Sequence, residues 1–152
     1  MVKKEIFLGS DHAGFELKEK IKERLNQRKI KYKDLGPSVY DGRDDYPDYA
    51  FKVAKMVSKN QSGRGILVCG TGAGMAIAAN KVKGIRAVEA YDAHSARMSR
   101  LHNDSNILTI GARNVLPSKA IKIVDAWVNT SFSEEERHKR RIEKIKKFEN
   151  SR

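Results

Sequence analysis

The stretch Ile66-Leu67-Val68-Cys69-Gly70-Thr71-Gly72-Ala73-Gly74-Met75-Ala76-Ile77-Ala78-Ala79 decides how the rest of the chain is read. Ile66 to Cys69 is the clearest buried strand in the sequence. Glycines at 70, 72 and 74 then let the backbone turn sharply and bare its N–H groups where a helix starts. Met75 to Ala79 reads as a helix of small residues, able to pack close to a sheet. Strand, glycine turn and helix together form the first half of a strand–helix–strand unit.

Working outward, the same alternation repeats. Towards the N-terminus, Ile6-Phe7-Leu8 reads as a first strand, and Leu17, Ile21 and Leu25, four apart, give a helix an apolar stripe. Ile30 to Leu35 reads as a second strand ended by Gly36-Pro37. An Asp- and Gly-rich loop follows. Pro47 suits the first turn of a helix that buries Ala50, Val53, Ala54 and Val57. Towards the C-terminus, Arg86 to Ala90 and Ile107 to Ile110 read as strands, separated by a helix from Asp92 to His102. Pro117 opens a helix with Ala120, Ile123, Val124, Trp127 and Val128 on its apolar side. The tail, about 133–148, reads as a charged helix. Its Ile142, Ile145 and Phe148, three apart, suit a partner surface or a domain edge.

This order predicts an α/β fold: one domain over 1–152, a three-layer α/β/α Rossmann-like arrangement with a five-stranded parallel sheet, right-handed crossovers and a C-terminal helical tail. Ligands in such sheets bind beyond the carboxyl ends of the strands. A flavodoxin-like strand order makes strands one and three neighbours at the switch point. Ser10-Asp11-His12-Ala13-Gly14 and Cys69 to Gly74 then face each other across one cleft.

Composition narrows the function. Of 152 residues, 39% are hydrophobic, enough for a modest core, and no apolar run reaches the roughly 18–20 residues of a membrane span. Met1 to Glu5 lead into the first strand without the apolar core of a signal peptide. One cysteine excludes an intrachain disulfide, so a cytoplasmic location is expected. The net charge of +12 suits nucleic acid or anionic small molecules. The basic residues are scattered, acidic residues interrupt them, and no nucleic-acid module is recognisable; small anions are the expected partners.

Several residues carry two readings. Gly70 and Gly72 fit a dinucleotide fingerprint and Glu89 lies at a suitable distance, but the third glycine is due at Met75, and no Walker sequence follows. Otherwise the loop is an anion cradle or a close helix–strand contact. Cys69 is either a small core residue or, at a strand end beside bared N–H groups, a thiolate acting as nucleophile or proton-transfer base. Asp11-His12 is a capped turn or an acid with a phosphate ligand. His102-Asn103-Asp104 is a helix end or a polar site. Arg137 and Arg141, four apart, are a solvated face or a pair gripping one phosphate.

Taken together, Ser10–Gly14, Asp45-Tyr46-Pro47, Cys69–Gly74, Ala78-Ala79-Asn80-Lys81, Gly84-Ile85-Arg86-Ala87, His102-Asn103-Asp104 and Arg137-His138 resemble ribose-5-phosphate isomerase B and the subunits of galactose-6-phosphate isomerase, over about residues 5 to 147. The resemblance implies an aldose–ketose isomerase working through a cis-enediolate. It makes Cys69 the base, with Thr71 in the catalytic set and Gly70, Thr71, Gly72, Ala73 and Gly74 as the anion hole. One branch of the family uses a Glu later in the loop; that position here is Met75, which takes no proton. The resemblance makes His102, helped by Asp11, the group that opens the sugar ring. It makes His12, Arg113, Arg137 and Arg141 a phosphate clamp, and Tyr46 and Asn103 sugar contacts. It implies no metal or organic cofactor, and a homodimer or tetramer. Hexose phosphates such as allose or galactose 6-phosphate remain alternative substrates, since one hydroxymethyl unit discriminates weakly. A non-catalytic nucleotide- or nucleic-acid-binding domain is the alternative outside enzymology.

Geometry adds one expectation. His102 and Asn103 precede the fifth strand and therefore sit at its amino end, whereas Cys69 ends the third strand at its carboxyl end. A second subunit is expected to donate His102 and Asn103 to the cleft.

Overall fold

The computed structural model describes residues 4–152; the expectation about the start of the chain rests partly on residues 1–3, which lie outside the described residues. Five strands form one parallel sheet: β1 (Ile6–Ser10), β2 (Tyr32–Asp34), β3 (Arg64–Cys69), β4 (Ala87–Glu89) and β5 (Ile107–Gly111). The helices are α1 (Phe15–Gln27), α2 (Tyr46–Lys59), α3 (Ala73–Ala79), α4 (Ala93–Asn103), α5 (Pro117–Asn129) and α6 (Glu136–Asn150). The tail helix thus starts three residues later and ends two later than the expected 133–148.

The strand order is β2-β1-β3-β5-β4. Strands one and three are neighbours, as expected, with Ser10 beside Val68. The flavodoxin-like order is corrected at the other edge, where β5 rather than β4 lies against β3. Burial explains the exchange. All five residues of β5 are buried, as a central strand requires. β4 has three residues, two of them half-buried, and suits an edge. The chain overshoots β3 by one place to make β4, then turns back through α4 to fill the gap.

Right-handed crossovers then dictate which helix covers which face. Steps in one direction put α2 and α3 on one side; Ala50, Val53, Ala54, Met75 and Ala79 pack there with Phe7, Leu67 and Ile107. Steps in the other direction put α1 and α4 opposite, and α5 joins them. Leu17, Ile21, Leu25, Ala96, Ile123 and Trp127 pack there on Ile6, Leu8, Ile66, Val68 and Leu108. Gly14, just before α1, permits this: a Cβ there would run into the backbone carbonyl of Val68 in β3. The expected apolar faces hold, except that Val128 is only half-buried. In α6, Ile142 is buried while Ile145 and Phe148 stay exposed. Lys18, on the buried face of α1, escaped the reading of that stripe. Its ammonium donates to Asp34 at 2.8 Å and to the Pro37 carbonyl at 2.7 Å, tying α1 to the end of β2. Among the described residues no helix is long and apolar enough to cross a membrane.

Candidate active site

The carboxyl ends of β1, β3 and β5 meet at one place, and the glycine loop lies between them. Cys69 is the last residue of β3, paired with Gly111 of β5. Its side chain is 4% exposed and packs with the α2/α3 side of the core. One polar group reaches the sulfur there: the Gly72 backbone N–H donates to Sγ at 3.1 Å. That direction requires the loop to double back, and Gly72 does so at φ +84°, which a glycine adopts without strain. Thr109 Oγ1 donates to the Gly72 carbonyl at 2.9 Å, fixing the turn from β5. The exchange of β5 for β4 is what brings Thr109 there.

The residues after β5 form one wall. The Arg113 N–H donates to the Gly70 carbonyl at 2.9 Å. Its guanidinium lies over Gly70, with Nη1 3.1 Å from where a Cβ would stand. Asn114 Nδ2 donates to the Thr71 carbonyl at 3.2 Å. Tyr46, in the first turn of α2, forms the facing wall. Its ring sits so close to Gly74 that a Cβ there would lie 2.7 Å from the ring.

The loop after β1 forms the third side. Asp11 is buried and accepts from the Gly14 N–H at 3.0 Å. His12 is held twice by one oxygen of Asp44: its backbone N–H donates at 2.9 Å and Nδ1 lies at 2.8 Å. The Asp44 side chain is 5% exposed, so this carboxylate is held in place. Its hydrogen bond raises the His12 pKa above the ordinary 6.5, with Asp11 adding to the rise and the Arg113 charge opposing it. Asp11, His12 and Asp44 present ligand atoms within 4.8 Å of one another, a spacing a cation can use. One ligand atom each of His12 and Asp44 is already committed to their mutual bond.

The remaining expected site residues lie elsewhere. His102 and Asn103 end α4 and precede β5, so they stand at the amino end of the sheet. β3 and β5 run from Gly65 beside Ile107 to Cys69 beside Gly111, four steps of about 3.3 Å. At least about 13 Å of sheet therefore separates the two ends. His102 is exposed, and its ring rests on that of His138, 4.6 Å between centroids and tilted by 40°. His138 is buried and bonded through Nδ1 to Ser133 Oγ at 2.7 Å. Burial lowers its pKa; the Glu135 carboxylate opposes this, and the charges of Arg137, His102 and Arg141 add to the lowering. Arg137 and Arg141 are exposed on α6 beside it, and Arg137 Nε contacts Glu135 at 2.8 Å. The chain thus brings together Asp11, His12, Tyr46, Cys69, the glycine loop and Arg113 at one end. It gathers His102, Asn103, Arg137 and Arg141 at the other.

Asp44 escaped the sequence reading, because it lies in an acidic loop where nothing local distinguishes it from its neighbours. His138 was part of the Arg137-His138 motif but had no role there, because it lies inside a basic run that reads as solvated.

The family model described as Ribose/Galactose Isomerase matches residues 6–145. The chain belongs to this family. Ribose-5-phosphate isomerase B of Escherichia coli (strain K12) is 45% identical over 98% of this chain and 99% of its own. The enzyme of the same name from Mycobacterium leprae is 41% identical over 95% and 89%. Among solved structures, ribose-5-phosphate isomerase B from Mycoplasma genitalium, crystallised with ribulose 5-phosphate, superposes with a TM-score of 0.96 over all of both chains at 43% identity.

Proposed function

We propose that this chain interconverts ribose 5-phosphate and ribulose 5-phosphate, with Cys69 as the base. The observation that carries the assignment is the Gly72 N–H aimed at Sγ at the carboxyl end of β3, in a chain of this family. That contact holds Sγ by a backbone N–H at the strand end, where an open-chain sugar would enter the cleft. The thiolate removes the proton from C2 of the aldose, and charge moves onto O1. The resulting cis-enediolate is received by N–H groups of the 70–74 loop other than that of Gly72, which is held by Sγ; one such donor is worth about 3 kcal/mol of barrier. The same proton returns to C1 as the O2 proton passes to O1, leaving the ketose. Thr71, exposed on the loop, is the group we assign to that hydroxyl transfer. No electrons leave the sugar, so the reaction as written uses no redox cofactor.

His12 and Arg113 form the phosphate end of the cleft, and Tyr46 lines the sugar. The partner's His102 opens the furanose ring with Asp11, the partner's Asn103 contacts the sugar, and the partner's Arg137 and Arg141 complete the clamp. The working unit is then a homodimer with two shared sites. Base chemistry needs a reduced thiol, which fits the cytoplasm. The deciding assay supplies ribose 5-phosphate, allose 6-phosphate and galactose 6-phosphate to the purified chain. Turnover of the pentose with the highest kcat/KM is expected, and a hexose preference would replace the substrate assignment.

The His12–Asp44 pair makes the pH dependence specific. A cationic imidazole attracts the phosphate dianion, and Asp44 keeps it cationic to higher pH than an ordinary histidine. KM for ribose 5-phosphate should stay low below the raised His12 value and rise as pH passes it. In Asp44→Asn that rise should begin at lower pH, with kcat changed less than KM. Identical KM profiles for the two proteins would remove His12 from the clamp. Linkage gives stability the same sign: the pair contributes fully below about 6.5 and is lost as pH climbs through the raised value.

A further inference from the structure

At the amino end of the sheet, opposite Cys69, lies a cavity of about 610 Å³. It is lined by the α2–β3 loop, the turn after α4, and the segment between α5 and α6. Its chemistry is one-sided: Lys4, Arg64, Arg86, Arg100 and Lys146 face it, against the carboxylates of Asp104 and Glu134. The pairing within the wall sharpens the imbalance. Asp104 serves two guanidinium groups at once, Arg100 Nη1 at 2.8 Å and Arg86 Nη2 at 3.2 Å. Lys146 is engaged by Glu143 at 2.9 Å.

Arg64, the first residue of β3, is 5% exposed, and among the described residues no carboxylate pairs with it. Residues 1–3, Met-Val-Lys, carry no carboxylate side chain either. Its hydrogen bond is a long one, Nη1 to the Val128 carbonyl at 3.4 Å, and its guanidinium stands 5.5 Å from the Trp127 ring centroid. Arg100 stands 5.9 Å from the same ring, so two guanidinium groups share one indole. Buried cations are ordinarily paired, because an unpaired one loses its hydration without compensation. Here burial, and then the charge of Arg100, lowers the Arg64 pKa to about 10. Lys4 is lowered by burial and by the Arg64 and Arg100 charges.

We propose that this cavity is a second anion site, in which Arg64, with Lys4 beside it, binds a phosphate-sized oxyanion. The ligand is inorganic phosphate or the phosphate head of a small ester. Arginine's planar fork suits either source, and the volume leaves room for more than the bare ion. No residue assigned to catalysis or to the phosphate clamp lines it.

The test first weakens the cleft by removing the two clamp residues that it draws from its own subunit. In a His12→Ala, Arg113→Ala double variant, titration calorimetry with inorganic phosphate should still detect one class of site per chain. Adding Arg64→Met to that background should weaken the remaining site roughly tenfold to a hundredfold, the usual loss for a charge-assisted bond. Phosphate should raise the Tm of the double variant and not that of the triple variant. Should Arg64→Met fail to fold, Lys4→Ala at the cavity edge gives the same reading with an expected loss of about threefold. Glycerol 3-phosphate in a parallel titration separates the sources: tighter binding than phosphate assigns the ester, and weaker or no binding assigns the free ion. Absence of phosphate binding in the folded double variant, or binding indifferent to the substitutions at Arg64 and Lys4, overturns the site.

Discussion

Replacing Cys69 by alanine is expected to lower kcat/KM for ribose 5-phosphate by roughly 10²–10⁴, the span that a positioned proton-transfer group contributes. The loss should appear in kcat with KM little changed, since the role proposed for Sγ is transfer of the carbon-bound proton and the substitution leaves the proposed phosphate end of the cleft intact. The fold should survive, because alanine fits the space that the 4%-exposed cysteine occupies and the loop keeps its Thr109–Gly72 and Arg113–Gly70 bonds. Two controls make the result specific. Iodoacetamide should inactivate the native chain and spare activity when substrate occupies the cleft. Cys69→Ser keeps the shape and an acceptor for the Gly72 N–H, but its hydroxyl ionises far less readily than a thiol, so it should be nearly as impaired as alanine. A folded Cys69→Ala chain retaining activity within about tenfold of wild type would transfer the base role to another residue.

The sequence was informative where one physical cause acts locally. Apolar periodicity placed α1, α2 and α5, because a helix face buried on a sheet must repeat every three or four residues. Pro47 and Pro117 marked the starts of α2 and α5 for the same kind of reason, since the first turn tolerates proline. What stayed hidden depends on contacts far apart in the chain. The placement of β4 outside β5 is set by which strand can be buried on both faces, and short apolar runs look alike until the sheet is assembled. Lys18 occupies a buried position in α1 only because Asp34 and the Pro37 carbonyl meet it there. Asp44 pairs with His12 across 32 residues, so no spacing rule points to it. The Ser10–Gly14 and Cys69–Gly74 segments of the carboxyl-end cluster were legible because loops at neighbouring strand ends follow from the topology, whereas Tyr46 and Arg113 were reached only through the family resemblance. The role of His138 beneath His102 was not, because it joins α4 to α6 through packing alone.

The division of the site residues between two ends of one sheet leads to the second large effect. Mixed Cys69→Ala and His102→Ala chains, each nearly inactive alone, should regain activity when their subunits exchange. The argument is geometric. A sheet about 13 Å long stands between Cys69 and His102 within one chain, while proton transfer and ring opening need groups within hydrogen-bond reach of one sugar. A two-fold dimer resolves this if the end of α4 and the start of α6 of one subunit reach over the glycine loop of the other. The outer side of α6 is suited to such a contact, since Ile145 and Phe148 are 54% and 67% exposed although both are apolar. In an isologous dimer each interface then builds two identical sites. A hybrid of the two variants carries both lesions in one site and none in the other. Random exchange at equal concentrations makes half the dimers hybrid, so recovery should plateau at about a quarter of wild-type activity. The time course should follow subunit exchange measured separately, for instance by mass spectrometry of labelled chains. If the hybrid forms and activity stays at the level of the parents, each site is built within a single chain, and the shared-site arrangement falls.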